Sequence, residues 1–155
     1  MIKIRLAQLS DAPEIKKLND IFNGENSNTI EEIKIALNEN NQEIVCVALE
    51  FNGMAENLVG FCCGQIIKSV CYSIPYGDIT EFFILEKYQQ TDIGKQLVKF
   101  IEEEFNKRGV NHLHHITGKD NTEIQKLYHS LGFIDSTKNS YKSQFIVILE
   151  KDSVL

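Results

Sequence analysis

The sequence predicts an α/β fold: a mixed, mostly antiparallel sheet of six to seven strands flanked by about four helices. Two observations lead there. Some short runs alternate apolar and polar residues, the period of a half-buried strand, while others repeat apolar residues every three or four positions, the period of a helix. The segments follow one another as strand, two helices, three strands, helix, strand, helix, strands. Antiparallel hairpins therefore come first, and a strand–helix–strand crossover follows.

Ile2, Ile4 and Leu6 alternate with Lys3 and Arg5 in the first strand. Ser10 or Asp11 can cap the helix that follows, with Pro13 in its first turn, where a missing N–H costs little. Ile15, Leu18, Ile21 and Phe22 form its apolar stripe. "NGENSN" is a loop, and "TIEE" is a capping box in which Thr29 and Glu32 satisfy each other's backbone. Ile30, Ile33, Ala36 and Leu37 make the second stripe.

"EIVCVALE" reads as a strand, "FNGMAEN" as a turn and "LVGFCCGQIIKSVCY" as a long partner strand. Tyr76 and Gly77 mark the next turn, before the strand "DITEFFIL". Ile93, Leu97, Ile101 and Phe105 recur every four residues, widened by Val98 and Phe100. Lys99, Glu103 and Lys107 take the wet side, and Gly109 ends the helix. "HLHHIT" is a short strand; Asp120 or Asn121 starts a helix bearing Ile124, Leu127, Tyr128 and Leu131, closed by Gly132. Strands around Phe133 and "FIVILEK" finish the chain. With no repeat, low-complexity tract or linker, residues 1–155 are expected to form a single domain.

The composition, 43% hydrophobic and 25% charged, is that of an ordinary soluble globular protein. A formal net charge of -6 argues against a nucleic-acid binder and suits cationic or small-molecule partners. No secretory leader is expected, and no apolar run approaches the roughly 20 residues of a membrane span, so a cytoplasmic location without membrane contact is expected. Cys46, Cys62, Cys63 and Cys71 have neither disulfide-scaffold density nor paired CxxC spacing. They are expected to be reduced and structural, with Cys62 and Cys63 on opposite faces of a strand.

The stretch "EKYQQTDIGKQLVKF", residues 86–100, runs a polar loop straight into a helix. A helix N-terminus carries backbone N–H groups without intrahelical partners and a partial positive charge, the makings of a phosphate site. Gly94 removes a side chain from the approach, and Lys95 adds a cation. Taken alone, one glycine at such a turn is more often structural than functional.

"YQQTDIGKQL" resembles the pyrophosphate-binding motif Q/R-x-x-G-x-G/A of the GNAT superfamily of N-acetyltransferases, with Gln89 first and Gly94 last. "NTEIQKLYHSLGF" resembles the second signature of that family, through Asn121, Leu127, Tyr128, Leu131, Gly132 and Phe133. "IKIRLAQLSDAPEI" is similar to its first strand and helix. Most of the chain is thus covered in order. One departure stands out: Asp92 replaces the first motif glycine. Either it turns outward as an N-cap, the orientation favoured here, or its charge weakens the hold on a pyrophosphate.

The resemblance implies acetyl-CoA as donor and a primary amine as acceptor, with direct attack on the thioester and no metal. It assigns cofactor binding to Gln89, Gln90, Thr91, Asp92, Ile93, Gly94, Lys95, Asn121 and Tyr128. The main chain of Phe83, Ile84 and Leu85 would meet the amide arm of the cofactor as an added strand. Tyr128, two helical turns after Asn121, is the candidate acid for the departing thiolate. Glu81, on the face opposite Phe82 and Ile84 if the strand is regular, is the candidate base or amine anchor; Asp78 and Thr80 are weaker candidates. His112 and His114 share a face and His115 takes the other, but no nearby carboxylate or cysteine completes a metal set at usual spacing. Neither Cys63 nor Cys71 is needed as a nucleophile.

The expected function is N-acetylation of a small-molecule amine. A narrower form is an aminoglycoside-modifying enzyme, hence antibiotic resistance. The alternative from another class is a GNAT-like ligand-binding module with a decayed cofactor site. Acceptor contacts are expected from "NGENSN" and "DSTKNSYKS", and Phe51 with a late edge strand offers a surface for a homodimer.

Overall fold

The computed structural model describes residues 1–25, 27–53, 55–71, 73–136 and 146–152. Its elements are β1 (Ile2–Leu6), α1 (Ala12–Asn23), α2 (Ile30–Glu39), β2 (Glu43–Phe51), β3 (Glu56–Ile67), β4 (Tyr76–Ile84), α3 (Ile93–Lys107), β5 (His112–Gly118), α4 (Thr122–Ser130), β6 (Ile134–Asp135) and β7 (Ile146–Asp152). The strands form one seven-stranded sheet in the order β1-β2-β3-β4-β5-β7-β6. Every neighbouring pair is antiparallel except β4 and β5, which the α3 crossover makes parallel. The expected fold class is the one observed. Among the described residues no helix is long and apolar enough to cross a membrane.

Local signals explain most boundaries. The Thr29 hydroxyl accepts from the Glu32 N–H while the Glu32 carboxylate accepts from the Thr29 N–H, the reciprocal cap expected of "TIEE". Asp11 stands at the N-cap position of α1 without a capping bond to that helix. Its carboxylate instead takes two hydrogen bonds from Arg5, at 2.6 and 2.9 Å, and one from the Gln8 N–H at 2.7 Å. Burial pushes that carboxyl up, but the hydrogen bonds from Arg5 and Gln8 outweigh it and hold Asp11 below the usual range. Two expectations are corrected. Tyr76 and Gly77 open β4 rather than forming a turn, and β3 stops at Ile67, short of the Cys71 region. Gly77 is in the strand because a Cβ there would lie 2.8 Å from the Leu113 side chain, a tertiary reason that local sequence does not carry.

The sheet separates two apolar layers. On one face Leu97, Val98, Ile101 and Phe105 of α3 join Leu113, Tyr128, Phe133 and Leu149; on the other Ala12, Ile15, Leu18 and Ile33 meet Val47 and Phe61. Cys62 belongs to the first layer and Cys63 to the second, opposite faces as expected, and both are free thiols.

Between β3 and β4 the register slips: Cys63 pairs with Glu81 but Gly64 pairs with Ile79, so Thr80 is an extra residue. Such a bulge reverses the alternation of everything beyond it. Ile79 and Phe82 therefore both face the α3 layer, whereas Phe83 faces α1 and α2. On the other edge of β4 the parallel pairing with β5 covers only Gly77 with Leu113, Asp78 with His114 and Ile79 with His115. Past the bulge the two strands part.

Close seating of α3 on the sheet requires Gly64, where an added Cβ would lie 2.6 Å from Phe105 and 2.9 Å from Ile101. Gly64→Ala should lower unfolding free energy by about 1–3 kcal/mol, the usual cost of overfilling a core. Urea denaturation measures it, and an unchanged midpoint would contradict this seating.

Candidate functional site

Where β4 and β5 diverge, a groove of about 660 Å³ opens between the end of β4, the loop into α3 and the flank of α4. That volume suits a sizeable organic ligand. The loop is tied down from below. The buried Tyr88 donates to Glu50 at 2.6 Å, the Thr91 hydroxyl donates to the Tyr88 carbonyl at 2.6 Å, and Gln89 Nε2 donates to the Ile84 carbonyl at 3.1 Å. Gln90 sits at φ 62°, the left-handed region a non-glycine residue rarely adopts. The first intrahelical bond of α3 runs from the Gln96 N–H to the Asp92 carbonyl, so the preceding turn presents its N–H groups at the loop.

Phe83, Ile84, Gln89, Gln90, Thr91, Asp92, Gly94, Lys95 and Asn121 all border this groove. Ile93 does not, being buried in the α3 layer. Leu85 is also absent, and its N–H donates to the Val59 carbonyl at 3.0 Å, on the β3 side. By ladder alternation the Phe83 main chain faces β3 as well. Of the three residues expected to offer main chain to a ligand, Ile84 alone has it turned toward the open edge. Phe82, which the expectation omitted, shares that orientation.

Asp92 stands at the N-cap of α3, but its carboxylate makes no capping hydrogen bond. The Thr91 hydroxyl approaches the Ile93 N–H instead, at 3.4 Å, and Asp92 borders the groove. Asp92 thus holds the N-cap position without the capping bond expected of it. Gly94 has two roles. It is buried against α4 and β4, and a Cβ there would meet Leu127 and Phe82 at 3.3 Å, so the glycine both seats α3 and keeps the groove floor low. Asn121 caps α4 by accepting from the Ile124 N–H at 3.3 Å.

Tyr128, expected at the cofactor, lies beneath the groove rather than on its surface. It has no exposed surface and does not border the groove. Its ring stacks on His115 at 4.2 Å and 3°, with Phe82 and Phe133 edge-on at 6.5 and 4.9 Å. The hydroxyl has no hydrogen-bond partner among the described residues, a burial that costs about 1–3 kcal/mol. Burial, with Cys62, Cys46 and Asp78 nearby, pushes this phenol well above its usual range, so it keeps its proton. His115 is buried too. Its Nδ1 lies 2.8 Å from the Ile79 carbonyl and donates to it, and burial lowers its pKa below the ordinary histidine value.

Glu81 opens onto a second cavity of about 300 Å³, between the sheet and the α1–α2 layer. Glu43, which sequence reasoning missed, borders it as well. Burial first, then the charge of Glu81, raises the Glu43 carboxyl above its usual range. Glu43 alternates with Val45 and Val47, which was the available signal that it points inward. Cys63, at the base, has its thiol pushed well up by burial and by Glu43 and Glu81, the opposite of a reactive thiolate. Asn19 of α1 organises the roof: its Nδ2 donates to Ser27 at 2.7 Å and to Asn28 at 3.1 Å. Of "NGENSN", Asn28 borders this cavity and Ser27 is tied to Asn19, while "DSTKNSYKS" from residue 137 onward lies outside the described residues. Phe22 and Phe83 border the groove and Phe61 borders the cavity, with Phe83 lying 5.3 Å from Phe22 and 6.0 Å from Phe61, so the groove reaches the α1 side of β4.

The profile of the Acetyltransferase (GNAT) family matches residues 12–133, more than half of the chain. The chain belongs to that family, whose chemistry is acetyl transfer from acetyl-CoA. Its fold is similar to an acetyltransferase of the GNAT family from Streptococcus pneumoniae, with TM-score 0.79 and 21% identity over 98% of this chain and 99% of that one. It is also similar to the PaiA N-acetyltransferase of Thermoplasma acidophilum solved with coenzyme A, with TM-score 0.73 and 18% identity over 98% and 99%. An aminoglycoside acetyltransferase from an uncultured soil metagenomic sample, solved with sisomicin, gives 0.70 and 21% over 92% and 91%. No curated protein matches the sequence.

His115 sets a pH dependence. Its pKa is lower folded than unfolded, so below the ordinary value of about 6.5 the unfolded chain binds the extra proton and stability falls as pH falls. Between pH 7 and 5 this term should cost up to about 1.4 kcal/mol per pH unit, and His115→Phe should lose that slope. Equal slopes for the two proteins in urea titrations across this range would refute it.

Proposed function

We propose that the protein transfers the acetyl group of acetyl-CoA to a primary amine of a small cationic molecule. The observation carrying this reading is the placement of two cavities either side of one strand. The groove beside the α3 N-terminus suits an anionic ligand, and the Glu43–Glu81 cavity suits an ammonium group. Acetyl-CoA would supply an activated thioester. The chain's part is to hold it: first-turn N–H groups and Lys95 take its diphosphate, and the Phe82 main chain with the Ile84 N–H takes its amide arm, the Ile84 carbonyl being held by Gln89. Asp92 works against this grip, and the N–H groups outweigh one screened carboxylate.

The amine nitrogen attacks the thioester carbonyl carbon, the C–N bond forms and the C–S bond breaks. Glu81 anchors the ammonium ion and takes its proton, directly or through water. The leaving thiolate takes a proton from Tyr128, and the second proton that the nitrogen sheds on becoming an amide returns through water to the phenol, leaving Glu81 to release the first to solvent. Two facts support that role: the phenol is protonated and its hydroxyl is uncommitted. It also requires Phe82, whose edge covers the Tyr128 ring, to give way when the groove is filled.

An aminoglycoside is the polycationic extreme of the same acceptor class, and the paired carboxylates favour it over a neutral amine. A panel of aminoglycosides, polyamines and peptides, followed by release of free thiol, tests the reading; no turnover together with no calorimetric binding of acetyl-CoA at millimolar concentration would favour a non-catalytic module instead. Glu81→Gln should lower kcat/KM for the best amine about 10²–10⁴-fold. Retention of full kcat/KM would remove Glu81 from the reaction. Tyr128→Phe should reduce kcat about tenfold or more while leaving the Kd for CoA within about threefold. Unchanged kcat would end its role as acid.

A further inference from the structure

Away from both cavities, the sheet face opposite α3 and α4 carries a square of side chains on β5 and β7. His112 and His114 are two apart on β5 and so share a face. The antiparallel register sets Asp152 directly across from His112 and Glu150 directly across from His114. The acid that the local sequence lacked thus arrives from a strand far along the chain.

The geometry is that of a chelate. The Nε2 atoms of His112 and His114 lie 2.9 Å apart, and the Glu150 Oε2 lies 3.8 Å from His112 Nε2. One donor atom from each of His112, His114 and Glu150 falls within 4.8 Å of the others. Bonds of about 2.0–2.2 Å to a tetrahedral zinc ion put its ligand atoms roughly 3.3–3.5 Å apart, so small side-chain adjustments bring all three into range. The outer partners are already set. His112 Nδ1 lies 2.5 Å from an Asp152 carboxylate oxygen, which can only accept, so Nδ1 donates and Nε2 is the ring nitrogen turned to the cluster. A carboxylate behind a ligating histidine is the usual support of such sites. Tyr76 braces the other ring, its centroid 4.6 Å from that of His114.

A divalent cation meets both nitrogen lone pairs and the carboxylate at once, and its charge balances Glu150 and Asp152.

We propose that His112, His114 and Glu150 bind a divalent transition-metal ion of the zinc class, with Asp152 orienting His112 and water completing the shell. Bound there, the ion joins β5 to β7. The inference stands apart from the acetyl-transfer reading, since none of these residues borders either cavity.

The test uses the full chain freed of metal by chelator and titrated calorimetrically with zinc chloride, alongside cobalt(II) absorption and thermal melting. One zinc per chain with Kd in the micromolar range or tighter is expected, with a higher Tm in zinc. His114→Ala should weaken binding about 100-fold or more and Asp152→Asn about 10–100-fold. His129→Ala, which removes an exposed histidine paired with Asp135, should leave it unchanged. Metal-free melts identify variants that fold normally, and loss of binding in those supports the site. Should the histidine variants not fold, the wild-type cobalt spectrum decides: intense four- or five-coordinate bands support the site, and the weak spectrum of the hydrated ion overturns it. Absence of saturable zinc binding, or binding that survives loss of both His112 and His114, also overturns it.

Discussion

The parting of β4 from β5 beyond Ile79 is the constraint on which the rest of the molecule depends. Main-chain groups on an edge that loses its neighbouring strand need other partners, as the Ile84 carbonyl finds in Gln89. Here one extra residue, Thr80, bends β4 and reverses its faces. The same irregularity delivers Phe82 and Ile84 to the α3 side and Glu81 and Phe83 to the α1 side. Groove and acidic cavity are therefore not independent features. Both are set by a single bulged strand, and Phe83 on its α1 side borders the groove.

Charge follows that division. The α3 end of the strand offers helix-end amides and Lys95, while Glu43 and Glu81 concentrate negative charge on the opposite face. A formal net charge of -6 hides this polarity, since it averages the two ends of the strand. Asp92 blurs the contrast. As a residue at the helix start it agrees with local preference, yet with its carboxylate unused as a cap it adds negative charge where positive potential matters most.

Much of this was legible from the chain alone. Period and punctuation located all four helices and the main strands, and the reciprocal cap at Thr29 and Glu32 was readable residue by residue. The loop from Gln89 to Lys95 was likewise identifiable as a place where main-chain amides gather. What escaped depends on distance in sequence. The glycine of Tyr76–Gly77 looked like a turn because its reason is contact with Leu113 and Phe105. Tyr128 lies on a helical stripe where a core aromatic and an active-site phenol look alike, and only packing reveals that its ring is sealed behind Phe82. Nothing in "DITEFFIL" announces a bulge at Thr80. Glu150 could not be matched to His114 before the β5–β7 register was known.

The floor and the roof of the acidic cavity are built from different materials. Glu43 and Glu81 are rooted in β2 and β4 with β3 wedged between them, so the spacing of the two carboxylates is as stiff as the sheet itself. Overhead, a short span between helices is held mainly by amide and hydroxyl contacts from Asn19. The geometry below is therefore set by strand pairing, and that above by a handful of side-chain hydrogen bonds.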